Sequence, residues 1–128
     1  MTREQARRLA LVTAVGRCVL GGVAVTVPTL PLAPWIGEGR KDRSSQLLAR
    51  ALGGRDLALG LGALLALRHD APVRGWVEAG GLADAGDVLV TLTSFGSLPR
   101  WGRWAVLVAA TGGVAAARLA SSAVDRRT

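Results

Sequence analysis

Cysteine occurs once in these 128 residues, at Cys18, and histidine once, at His69. A single thiol excludes an intrachain disulfide, and one histidine with no second His or Cys cluster gives no metal-ligand pattern. His69 beside Asp70 therefore reads as a solvated turn. Glycine loops of the phosphate-cradling kind and nucleophile motifs are also missing, so neither a cofactor nor a metal is expected. Acids are scarce too: nine against sixteen Lys and Arg leave a formal charge of +7. Such a surplus can suit nucleic acid, but the arginines sit in clusters between apolar segments, without interleaved aromatics or a binding motif. Membrane-flanking loops explain them better, and nucleic acid is not an expected partner.

What is plentiful is apolar residues, half of the chain, and glycine, seventeen in all. Each glycine weakens a water-soluble helix by up to about 1 kcal/mol against alanine, whereas in lipid it lets helix backbones approach closely. Four apolar segments, at roughly 9–29, 46–67, 76–98 and 102–121, each approach the twenty or so residues that cross a bilayer. They predict an all-α integral membrane four-helix bundle, antiparallel and up-down, as one domain over 1–128 with the lipid bilayer as its partner. The basic start and first apolar run resemble a signal peptide, yet Arg17 interrupts the run and no clean cleavage site follows, so it reads as a retained helix.

The connections fit this plan. In "PTLPLAPWIGEGRKDRSS" three prolines end the first helix, a charged loop follows, and Ser44 or Ser45 can cap the second. The links "RHDAPVRG" and "GSLPRWGR" are short enough for antiparallel neighbours. Trp35, Trp101 and Trp104 then fall at one membrane face and Trp76 at the other, as an aromatic belt requires. Arg3, Arg7, Arg8, Arg68, Arg74, Arg118, Arg126 and Arg127 gather on one side, against Arg40, Lys41, Arg43, Arg50, Arg100 and Arg103. That excess places both termini in the cytoplasm.

Within the greasy run "ALGGRDLALGLGALLAL" stand Arg55 and Asp56. Arg17 lies near the middle of the first span, Asp84 and Asp87 near the middle of the third. Five unpaired charges at one depth would oppose insertion by more than about 10 kcal/mol, so they are expected to meet one another or water. Gly80, Asp84, Asp87 and Thr91 follow the i, i+4, i+7, i+11 stripe, and Thr13, Arg17, Gly21 and Ala24 make a similar face on the first helix. On the second, Asp56, Gly60 and Ala63 share a side with Arg55 beside it. Two arginines against three aspartates leave one negative charge, which predicts that one aspartate holds a proton; Asp84 and Asp87 look like a pair sharing it.

The run "RALGGRDLALGLGALLAL" followed by "RGWVEAGGLADAGDVLVTL", with Gly16, Arg17 and "PLAPWIGE" before them, resembles a family of small four-helix membrane proteins of high-GC bacteria, distantly similar to DoxX-like proteins. The resemblance spans about 16–120 and implies an integral bundle in the bacterial plasma membrane without a particular activity. DoxX-like proteins are linked to membrane redox and thiol chemistry, and the lone Cys18 argues against direct thiol exchange here.

The expected function is a mid-membrane polar site for a small lipophilic molecule with a polar head, such as a quinone, an isoprenoid or an epoxide. Arg17, Arg55, Asp56 and Thr91 are the candidate binding residues, and Asp84 and Asp87 the candidate acid–base pair of an isomerase, cyclase or epoxide-opening enzyme. Two alternatives stand beside it: a proton-coupled carrier, which needs a homo-oligomer because four helices are few, and a structural subunit whose salt bridges only fix helix register.

Overall fold

Thr2 opens the first helix with a reciprocal cap. Its hydroxyl accepts from the Gln5 amide at 3.2 Å, and the Gln5 side chain accepts from the Thr2 amide at 2.8 Å. Two donors that a helix start leaves free are thereby satisfied. This helix, α1, runs Arg3–Thr26 in the computed structural model, which describes residues 1–125. Arg126 and Arg127, counted above for orientation, lie outside the described residues.

The segment read as a proline-rich loop contains a helix of its own, α2, Thr29–Ile36. Pro28 stands at its cap position, where a missing N–H leaves nothing unpaired, so the proline that stops α1 also starts α2. Gly37, at φ +61°, ends it, and a 3-10 turn, Gly37–Lys41, follows. There the hydrogen bond and charge of Lys41, reinforced by Arg40, hold the exposed Glu38 carboxyl below its ordinary range. α3, Arg43–Arg68, is capped by Asp42, which accepts from the Ser45 amide, rather than by Ser44 or Ser45. The carboxylate wins because its charge also favours the positive helix start.

α4, Arg74–Thr93, has no side-chain cap from its own N-terminus. Asp125, from the far end of the chain, fills that role by accepting the amides of Val73 and Arg74 at 2.9–3.0 Å. After a 3-10 turn at Phe95–Ser97, α5 runs Arg100–Ser121. The protein is all-α, with five helices and no strand among the described residues.

Contacts run in opposite order along α1 and α3: Gly21 meets Gly53, Cys18 meets Gly60, and Arg7 donates to the Leu67 carbonyl. α4 and α5 form a second antiparallel pair, with Gly81 against Ala117 and Asp84 against Gly113. These two pairs are the most extensive contacts, and α3 touches α4 least among the neighbouring long helices. A cluster of Ala6, Ala10, Ala66, Val73, Val77, Ala120, Ala123 and Val124 closes the end near the termini. At the other end α2 lies on α5 so closely that a Cβ at Gly102 would sit 1.3 Å from the Pro34 oxygen.

The distribution of size is inverted. The buried residues are mainly Ala and Gly, and the largest fully buried side chains are Val73, Val124 and Thr91. The large apolar residues point outward: Leu82 is 75% exposed, Val108 72% and Val12 68%. In a water-soluble domain Leu and Val are among the residues most often inside. Two helices, α1 and α5, are long and apolar enough to cross a membrane. α3 and α4 fall short of the four expected spans because Arg50, Arg55 and Asp56, and Glu78, Asp84 and Asp87, dilute them.

Candidate functional site

The central charges meet. Arg17 of α1 reaches two other helices: Nη1 donates to Asp56 Oδ1 at 3.0 Å, and Nη2 to Asp84 Oδ2 at 2.5 Å and to the Gly80 carbonyl at 2.7 Å. Gly80 permits this approach, since a Cβ there would lie 3.0–3.2 Å from the guanidinium. Arg55 of α3 grips Asp87 of α4 with both terminal nitrogens, at 3.3 and 3.0 Å, and reaches Asp56 Oδ1 at 3.4 Å. A fork of this kind fixes geometry as well as charge. Asp56 thus joins the two arginines, and the network ties α1 and α3 to α4 where α3 and α4 otherwise touch little.

The pairing differs from the one expected for Asp84 and Asp87. Although three apart on one face, they are divided between Arg17 and Arg55, and no hydrogen bond joins them among the described residues. A guanidinium offers a carboxylate more than a second carboxylate can, so each takes its own cation. Thr91 stands apart. It is fully buried, with its hydroxyl donating to the Asp87 carbonyl at 2.7 Å and accepting from Trp35 Nε1 at 3.2 Å, and it is absent from the cavity lining. Trp35 is accordingly turned inward, whereas Trp76, Trp101 and Trp104 are exposed at the helix ends.

Beside the network a cavity of about 650 Å³ opens between the two helix pairs. Arg17, Arg55, Asp56, Asp84 and Asp87 supply its charges, and small and apolar residues from all five helices, including Leu52, Leu59 and Trp76 and a run along α5, supply the remaining wall. α5 and α2 were not singled out from the sequence, yet Gly112 and Gly113 line the space, and a Cβ at Gly113 would lie 2.0 Å from Asp84 Oδ2. The adjacent glycines midway along a predicted span, at the depth of the aspartates, were the signal. Among the described residues no group of three or more His, Cys, Asp or Glu is arranged to hold a metal ion. The chain matches no protein-family model, no curated protein and no solved structure, so no comparison ties it to DoxX-like proteins or to any other family.

Proposed function

We propose that this chain is a membrane-embedded binding protein for a small lipophilic molecule, with α1, α3, α4 and α5 crossing the bilayer. One observation carries the reading: a cavity of about 650 Å³ has walls of Ala, Gly, Leu and Trp and charges at one place. That volume is typical of small-molecule sites, where apolar walls bury the ligand and a few polar groups orient it. The outward Leu and Val residues support the lipid setting, because helix interfaces in lipid favour small residues and leave large ones to the acyl chains. Five charges neutralised mainly by one another make α3 and α4 tolerable in that setting.

The geometry supports binding ahead of acid–base catalysis, since every central carboxylate is already engaged by a guanidinium. Entry from the bilayer fits the sparse α3–α4 seam, whose lower part is closed by Trp76 lying on Gly62. The test is mass spectrometry of the protein purified in detergent, beside Gly112→Leu, whose new side chain meets open space at its Cβ and fills the cavity. A lipophilic compound retained by the parent and lost from the folded variant is the expected result. Equal retention by both, or none by either when candidate lipids are added back, sinks the reading.

A further inference from the structure

The cavity's charge and its open hydrogen-bonding atoms go further than lipophilicity. In their ionised forms the five central groups sum to −1, two arginines against three aspartates. Both Nη2 atoms have their two hydrogens in use: that of Arg17 on Gly80 and Asp84, that of Arg55 on Asp87 and Asp56. Arg55 Nε has no partner but is fully covered, beyond the reach of a cavity ligand. Each Nη1 keeps a single free N–H.

On the acceptor side two whole carboxylate oxygens, Asp56 Oδ2 and Asp84 Oδ1, take no hydrogen bond among the described residues. Neither is among the fully covered polar atoms, and both residues line the cavity. Their environment has low polarity, where an uncompensated negative charge attracts a cation more strongly than in water. An anionic head would meet a net negative site whose two guanidiniums already hold carboxylates and offer only the remaining N–H of each Nη1 and that of Arg17 Nε.

Resting on the binding role proposed above, we infer that the ligand of this cavity is a lipophilic cation, an ammonium carried on a hydrocarbon body. Its N–H groups donate to Asp84 Oδ1 and Asp56 Oδ2. The hydrocarbon lies along Val106, Ala109 and Gly112 of α5 and against Trp76. A charge-assisted bond of this kind is roughly twice as strong as a neutral one, which makes the charged head the chief source of selectivity.

Three probes with one body separate the possibilities: pyrenylmethylamine, pyrenemethanol and pyrenecarboxylate, titrated into the protein in detergent micelles and followed by energy transfer from tryptophan. Trp35 and Trp76 both line the cavity. The amine should bind about tenfold tighter than the alcohol, the worth of a hydrogen bond to a charged group, with the carboxylate weakest. Asp84→Asn should bring amine and alcohol together while alcohol binding persists, and Asp56→Asn provides the same comparison if the first variant fails to fold. Gly112→Leu should lose all three. Equal binding of amine and carboxylate, or a preference for the carboxylate, overturns the cation assignment while loss in Gly112→Leu preserves the binding role. If Gly112→Leu binds all three as the parent does, the cavity itself is not the site and both readings fall.

Discussion

Two seams of this molecule use glycine for opposite ends. Between α1 and α3 glycine removes space: a Cβ at Gly21 would lie 2.5 Å from the Gly53 oxygen, and one at Gly60 would lie 2.6 Å from Cys18 Sγ. Between the two helix pairs glycine leaves space, for a Cβ at Gly16 or Gly112 meets nothing within 4 Å and both residues line the cavity. The tight seam is held by backbone contact and the open one by ions. Glycine-tight packing thus lies within each pair, and between the pairs five charged side chains bridge a void set between the Ala and Val cluster at one end and the α2–α5 contact at the other.

Removing an ion-pair partner from the open seam is the most severe way to break this contrast. Arg17→Met leaves Asp56 and Asp84 without their cation on α1 and should destabilise the fold by about 3–5 kcal/mol, as for other buried pairs deprived of one partner. Equilibrium unfolding in mixed micelles measures it. Neutralising Asp56 and Asp84 to asparagine in the same chain should recover much of that loss, because the damage comes from the orphaned charges rather than from the missing bonds. A single variant as stable as the parent means that water already solvates the network.

The tight seam ranks next. Gly53→Ala sets a methyl group 2.7 Å from the Ala24 Cβ and 2.8 Å from the Gly21 oxygen, so the helices must separate. Overpacking of this kind costs about 1–3 kcal/mol. Unfolding curves should show that loss, and an unchanged curve would remove backbone contact as the basis of the α1–α3 pairing.

A smaller effect should follow Thr91→Val, which leaves the Trp35 indole N–H without its acceptor. The penalty for an unsatisfied buried donor is about 1–3 kcal/mol, and its lower end applies because Trp35 is only partly buried. Trp35 emission should shift as α2 loosens, whereas the amine preference of the cavity should stay, since Thr91 does not line it. A lost preference would return Thr91 to the binding residues.

These positions also show what could be read in advance. Arg17, Arg55, Asp56, Asp84 and Asp87 were legible because charges in apolar helices must converge, and helical spacing gives their depth and face. Which aspartate takes which arginine was not legible, since it depends on the rotation of α4 against α1 and α3, set by contacts such as Gly80 with Arg17. α2 was missed because three prolines read as a break, although Pro28 and Pro31 fall at its cap and first turn, where proline is tolerated, and only Pro34 lies further inside. Asp125 was missed for another reason: its partners, Val73 and Arg74, lie some fifty positions away.

The smallest effect should also have the opposite sign. Gly16 and Gly21 stand five positions apart on α1, and composition treats them alike. At Gly16 the added methyl group meets nothing within 4 Å, so Gly16→Ala retains only the gain in helix propensity, up to about 1 kcal/mol toward greater stability. At Gly21 the same change drives the methyl group into the Gly53 oxygen and the Leu57 amide, and overpacking outweighs propensity. Parallel unfolding of the two variants therefore isolates the seam from the residue type. If both alanines stabilise, the α1–α3 contact yields without penalty; if both destabilise, the space beside Gly16 is already filled by something that the cavity holds.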